Sequence, residues 1–251
     1  MRIILLRSTA VMPDPPVEKM ASTLITLGHE VKILAWDRDN IYQERTSRKR
    51  LTNGEVDIIH FGIPAEYSGG LKNLKALALF ELRILRWLMR HHNEYDAIHA
   101  FDFDTGFAAM PCCRIFRKKL IYHVLDYYIE GHILSCKMLN PIIEFFEIRV
   151  INAADATIIC TEKRKQQISK ALPRKLYVIH NTPEATIEPN NSFQLHGDHN
   201  KTKVAYVGVL SRMRLLKETV EAIAQMDSVE MHIGGFGEYE GWIQEAANRL
   251  S

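Results

Sequence analysis

The sequence predicts an α/β protein: one complete doubly wound parallel domain, residues 1–182, followed by a partial second βαβα unit, residues 203–251. Three observations predict it. Short apolar runs alternate with helical patterns through residues 1–180, which is how a parallel sheet covered on both faces reads. A stretch holding Pro183, Pro189, Asn190, Asn191, Ser192, Gly197 and Asp198 then breaks the alternation. That composition marks a linker, placed at 183–202. Beyond it, a fresh first strand opens a second alternation.

The elements follow in order. Ile3-Ile4-Leu5-Leu6 is a buried-strand run. Val17 to Gly28 carries Met20, Leu24 and Leu27 at helical spacing, with Gly28 suited to the C-cap. Strands are expected at 31–34, 56–61, 97–100, 120–124, 156–160 and 176–179, and helices at 71–92, 105–116, 139–153 and 162–171. These strands suffice for a doubly wound domain. In the second unit 204–207 and 230–233 read as strands, and 215–227 and 238–250 as helices. Two strands leave an open edge and bury little apolar area. The second unit therefore reads as the first part of a domain whose remainder is missing.

Composition narrows the function classes. With 251 residues, 47% hydrophobic and 25% charged, the chain is an ordinary globular one, which excludes disorder, a collagen-like repeat and a disulfide scaffold. A net charge of +2 lacks the basic bias of a nucleic-acid binder. The charge is uneven: residues 1–180 hold 26 Lys/Arg against 20 Asp/Glu, and residues 181–251 hold 6 against 10. Such asymmetry suggests two units facing different partners. Cys112, Cys113, Cys136 and Cys160 form no CxxC pair, so metal-ligand spacing is absent. The apolar run after Met1-Arg2 is too short for a secretory leader, and no apolar stretch approaches the ~20 residues that span a bilayer. The expected compartment is the reducing cytoplasm. Walker A, HExxH and G-x-S-x-G patterns do not occur.

Two loops carry candidate chemistry. The first runs Gly208-Val-Leu-Ser-Arg212-Met-Arg214-Leu-Leu-Lys217. A glycine at a strand's carboxyl end admits a ligand to the backbone, the next helix offers its N-terminus, and Arg forks suit phosphate oxygens. A solvated turn with scattered charges is the plainer alternative. The second is Gly234-Gly235-Phe236-Gly237, again between strand and helix. A parallel neighbour brings both loops to one edge, where open α/β sheets bind ligands.

These residues carry a resemblance. Gly208-x-Leu210 with its basic residues, and then Gly235-x-Gly237, resemble the opening of the donor domain of nucleotide-sugar glycosyltransferases. The relatives are the retaining family-four (group 1) enzymes of the GT-B fold, with two facing Rossmann-like domains. The first domain agrees: Gly28-His29-Glu30-Val31, Tyr95-Asp96-Ala97-Ile98-His99-Ala100, Ala153-Ala154-Asp155-Ala156 with Cys160-Thr161-Glu162, and Val178-Ile179-His180-Asn181-Thr182-Pro183-Glu184 are similar to family motifs in order and spacing. The resemblance implies transfer of a sugar from a nucleotide diphosphate sugar to a glycan or lipid-linked acceptor, without a metal or other cofactor. Arg214, or Arg212, stands where the family places a basic residue on the diphosphate, with Gly208, Lys217, Gly235 and Gly237 beside it. Asp126 is kept from a His-Asp pair whose His position here is Leu125; His123, on the same strand face, is the substitute candidate, or else a pocket-wall or core histidine. His99, Asp102 and Asp104 are expected on the acceptor side, where Asp102 and Asp104 follow a strand and plain solvation serves equally well. Val209 replaces an Arg common in the family, the Gly-Gly loop after the first strand is absent, and the acidic E-x7-E donor segment lies beyond residue 251. An inactive fragment or a subunit completed by another chain is the first alternative, and a sugar-nucleotide epimerase the second.

The helix at 71–92 bears on location. At about 100° per residue, Lys72, Lys75, Arg83, Arg86 and Arg90 share an arc of about 80°, with Leu74, Leu77, Glu81, Ile84, Leu85 and Leu88 opposite. This is either a solvated charged face or a basic stripe toward an anionic membrane surface, peripheral at its inner face. Arg114, Arg117, Lys118 and Lys119 extend it if they lie on the same side.

Overall fold

A computed structural model describes residues 1–11, 13–66, 70–127, 140–182, 195 and 197–250. Met12, Cys136 and linker residues 183–194 and 196 lie outside the described residues. The chain divides into two compact units, Met1–Pro183 and Glu184–Ser251.

The first unit is built on an eight-stranded sheet: β1 (Arg2–Arg7), β2 (Glu30–Asp37), β3 (Tyr42–Leu51), β4 (Gly54–Gly62), β5 (Ala97–Phe101), β6 (Lys119–Val124), β7 (Ala156–Ile159) and β8 (Leu176–Val178). Their order is β3-β4-β2-β1-β5-β6-β7-β8. Every neighbouring pair is parallel except β3/β4. The strand order reverses between β1 and β5, which makes the crevice at their carboxyl ends the switch point where such sheets bind ligands. Helices α1 (Pro15–Thr26), α2 (Leu74–Arg90), α3 (Phe103–Ile115) and α4 (Asn140–Ala153) cover the two faces. On one face Phe80, Ile84, Trp87 and Leu88 of α2 join Ala109 and Cys112 of α3 and Val150 of α4 over Ile98, Tyr122 and Ile159. On the other, Val17 and Ala21 of α1 pack on Leu5, Ile33, Ile58 and Phe101.

Two differences from the expected elements have physical reasons. β3 is not among the expected strands, because Gln43 to Arg50 carry no apolar alternation. It is an antiparallel edge strand, and charge is how natural edges discourage further pairing. Its turn contains Asn53-Gly54, with Gly54 at φ 144°, the strongest short hairpin signal in a sequence. The expected helix at 162–171 is a single 3-10 turn, Glu162–Lys165, continued by turns. Lys163-Arg164-Lys165 stacks three cations, only Ile168 and Ala171 anchor the segment in the core, and Pro173 forbids continuation.

The second unit holds β9 (Thr202–Val209) parallel to β10 (Val229–Phe236), with α5 (Leu216–Ile223) and α6 (Glu240–Leu250). Leu210, Leu216 and Ala246 are buried. α5 starts one residue later than expected because Leu215 turns left-handed, at φ 53°, after a 3-10 turn over Arg212–Arg214. Among the described residues no helix is long and apolar enough to cross a membrane.

Candidate functional site

In the first unit the strand ends at the switch point converge on one guanidinium. Arg7, the last residue of β1, donates from Nε to Asp14 Oδ2 at 2.7 Å and from Nη1 to Asp102 Oδ2 at 2.5 Å. Thr9 Oγ1 donates to the same Asp14 oxygen at 2.7 Å. Asp102 follows β5 directly. Its Oδ1 accepts the backbone N–H groups of Leu125 and Asp126 at 2.8 and 2.9 Å, and its own N–H donates to the His123 carbonyl at 2.9 Å. It holds this post at φ 63°, a conformation rare outside glycine and costing on the order of 1–3 kcal/mol, which persists only where the surroundings over-determine it. Both carboxylate oxygens of Asp102 are thus engaged within the protein, and its work here is to tie β1, β5 and the loop after β6 together.

The electrostatics follow from burial. Burial lifts the Asp102 carboxyl to about 6 against the opposing pull of Arg7. Arg7 is shifted upward: burial opposes its charge, but the Asp102 and Asp14 carboxylates outweigh it. Asp104 is buried and raised, with Ser8, Arg7 and Arg38 pulling the other way. His99 and His123 stack on Phe101 with centroids 4.6 and 5.1 Å away, and His99 Nε2 lies 3.3 Å from His123 Nδ1. Burial, then Arg7, pushes His123 down to about 4, and burial, then His123, drives His99 well below the usual imidazole range. Both rings are therefore neutral near pH 7 and suited to hydrogen bonding and shape. His123 Nε2 is buried without a partner among the described residues. Asp126 is exposed, 3.5 Å from Arg164 Nη2, and reaches solvent from the loop that Asp102 holds.

The structure therefore brings His99, Asp102, Asp104 and His123 to one edge, with Asp126 just outside. Sequence reasoning missed Arg7 and Asp14. The available signals were a lone arginine closing the apolar run Ile3–Leu6, and an aspartate directly before the Pro15-Pro16 helix start.

In the second unit the two glycine loops meet. Gly208 pairs with Gly235 in the β9/β10 register. Gly235 sits at φ 155°, and a Cβ there would come within 1.9 Å of the Gly208 carbonyl oxygen. Gly237, at φ 148°, would place one 2.5 Å from the Leu210 carbonyl oxygen. Leu210 N–H donates to Phe236 O, and Tyr239 N–H to Leu210 O, so the loops are laced backbone to backbone. The Arg212 N–H is taken by Glu238 Oε1 at 2.7 Å, which leaves the Arg212 and Arg214 side chains, both exposed, as the cations the loop presents. Lys217 Nζ lies 5.7 Å from the Trp242 ring centre.

On α2, the basic stripe loses a member. Arg83 turns inward and donates to the carbonyls of Tyr42 and Gly62 at 2.7 and 3.2 Å, pinning the β3 edge. Lys72 pairs with Glu66 at 3.6 Å. Lys75, Arg86 and Arg90 are exposed.

Comparison with known proteins gives the fold its relatives. The family model for Glycosyltransferase Family 4 matches residues 17–182. No curated protein matches the sequence significantly. Among solved structures, the sucrose-phosphate synthase of Thermosynechococcus elongatus superposes over 98% of this chain with a TM-score of 0.66 at 16% identity. Anabaena Alr3699/HepE in complex with UDP does so over 100% with a TM-score of 0.60 at 15% identity. The E. coli structure of trehalose-6-phosphate bound with UDP-2-fluoro glucose gives 100%, 0.64 and 10%. The chain spans 68%, 66% and 70% of those chains in turn. The shared architecture is the GT-B fold, with its Rossmann-like units. The fold match and the family-model match over residues 17–182 agree: the chain belongs to Glycosyltransferase Family 4.

Proposed function

We propose that the protein takes part in transferring a sugar from a nucleotide diphosphate sugar to a glycan or lipid-linked acceptor, with retention at the anomeric carbon. The bond from the anomeric carbon to the diphosphate oxygen breaks, and the nucleoside diphosphate leaves with the electron pair. A bond forms to the acceptor oxygen, whose proton is released. The observation that supports the reading is the Gly208↔Gly235 pairing, which sets two glycine loops side by side at the carboxyl ends of parallel strands, where open α/β sheets bind ligands, with Arg212 and Arg214 beside them.

In this reading Arg212 and Arg214 meet the diphosphate. Fixed positive charge aimed at the departing oxygens stabilises charge that develops only as the bond breaks. Gly235 and Gly237 let the two loops pack backbone to backbone, Gly208 stands at the strand end beside them, and Lys217 borders the approach. In the first unit, neutral His123 and the exposed Asp126 face the reacting sugar, and His99, Asp102 and Asp104 shape the acceptor side, Asp102 through the loop it holds. The acceptor is met in the cytoplasm, at the inner face of a membrane if it is lipid-linked.

Incubation of the full chain with labelled sugar nucleotides and candidate acceptors tests this. Label moving into acceptor supports transfer. An altered free sugar nucleotide formed without acceptor marks an epimerase instead.

A second reading has a specific observation behind it. Val207 is 86% exposed and Phe236 67%, on a sheet that has two strands among the described residues. Apolar side chains on a sheet face suit a covering layer, and open sheet edges suit further strands, whether from this polypeptide or another, and activity would then require them. Adding such a segment and recovering transfer that the chain alone lacks tests it.

A further inference from the structure

The exposed face of α2 differs from a simple basic stripe. With Arg83 turned inward, the outward cations are Lys75, Arg86 and Arg90, and apolar side chains stand among them: Leu82 is 58% exposed and Met89 47%. Leu82, Leu85, Arg86, Met89 and Arg90 line a shallow surface groove of about 310 Å³. Glu81, the single acid of the helix, is half-buried. The face continues past α2. His92 stacks on Phe116 with centroids 4.4 Å apart, which joins the end of α2 to the end of α3, where Arg114 and Ile115 are exposed, and to the turn after it, where Arg117 is exposed.

The charge of this face is one-sided. Among the described residues Arg86, Arg90, Arg114 and Arg117 form no ion pair. The nearby acids are engaged elsewhere: Glu94 with His91 and Lys32, Asp96 with Arg2, and Asp155 with Lys119. A second copy of this chain fits such a surface poorly, since an isologous contact would set the same cations against themselves. A bilayer carrying anionic headgroups fits it on both counts. Arginines alternating with leucine and methionine at one-turn spacing put charge at the phosphate level and apolar side chains just below it.

We infer that the outer face of α2, with the turn after α3, docks on an anionic lipid surface and inserts Leu82 and Met89. The inference rests on the proposed function only in that a lipid-linked acceptor supplies a reason to sit there. The test below uses no sugar nucleotide, so the two can fail separately.

Co-sedimentation of the full chain with phosphatidylcholine vesicles, with and without phosphatidylglycerol, tests it. Binding should require phosphatidylglycerol and weaken with salt. Arg86→Ala with Arg90→Ala should lower partitioning about tenfold or more, since each basic residue near such a surface contributes severalfold. Arg86→Lys with Arg90→Lys should restore most of it, and Leu82→Ser with Met89→Ser should lower it severalfold at unchanged net charge. Equal binding to both vesicle types, binding to neither, or partitioning indifferent to both losses overturns the inference. So does a dimer seen by sedimentation velocity without vesicles that the same variants dissolve, which would assign the face to self-association.

Discussion

The guanidinium of Arg7 reaches the carboxylate of Asp102 at 2.5 Å across the β1/β5 switch point, while the other oxygen of that carboxylate accepts two backbone N–H groups from the loop after β6. One side chain thus fixes three strand ends. Removing it leaves a buried cation with one partner fewer and two inward N–H groups with none. Asp102→Ala should destabilise the first unit by about 3 kcal/mol or more. Asp102→Asn keeps an acceptor for the N–H groups and should cost less. Urea unfolding followed by circular dichroism measures both, and equal midpoints for Asp102→Ala and the parent would remove the clamp from this account.

The buried imidazoles set an acid limb of stability. His123 is held down at about 4, so the unfolded chain takes up its proton first as pH falls below about 6.5. The imidazole contribution is therefore whole above that value and lost as pH falls toward 4. Asp102, raised to about 6, binds its proton earlier in the folded state and opposes this trend. Comparing the parent with His123→Asn isolates the histidine: the melting temperature of the variant should fall less between pH 6.5 and 4.

Glu81 works at the opposite end. Burial, then Asp104, pushes its carboxyl up to about 8. The folded state holds that proton where the unfolded chain has lost it, so its contribution is full below the ordinary carboxylate range and declines as pH rises through 8. Glu81→Gln should be more stable than the parent above pH 8, by on the order of 2 kcal/mol of unfolding free energy, and the gain should vanish near pH 4. A variant no more stable at pH 9 would argue against a buried, proton-holding carboxyl.

The glycines of the second unit are unequal. A Cβ at Gly235 meets a backbone oxygen at 1.9 Å, whereas at Gly208 the nearest atom is the Tyr206 hydroxyl at 3.2 Å. Gly235→Ala should unfold the loop pair, costing about 2 kcal/mol or more, and Gly208→Ala should be tolerated. Hydrogen exchange at Leu210 and Tyr239, whose N–H groups lace the loops, reads the difference.

Much of this was legible in the sequence because burial writes itself into apolar runs. The parallel strands around Ile3–Leu6, Ile98 and Tyr122 read directly, and so did the glycine loops, since strand, glycine and helix follow one another locally. β3 did not, because an exposed edge strand has no buried face to impose alternation, and only Asn53-Gly54 marks its turn. The 3-10 turn at 162–165 did not, because its helix-like spacing lacks the anchors a helix needs. Of the polar residues gathered where β5 and β6 end, Asp102 and His123 were legible from their place at a strand's carboxyl end. The Arg7–Asp102 pairing was not: it joins positions 95 residues apart, and contacts of that separation follow from topology. Arg83 misled for the same reason, since its partners lie on a strand that the pattern does not show.

The most direct test of the central claim is calorimetric titration of UDP, ADP and GDP into the full chain. Saturable binding of at least one of them is expected, weakened about tenfold or more by Arg212→Ala with Arg214→Ala, as befits loss of charge-assisted bonds to phosphate. Absence of binding by all three, or binding indifferent to both arginines, would contradict it.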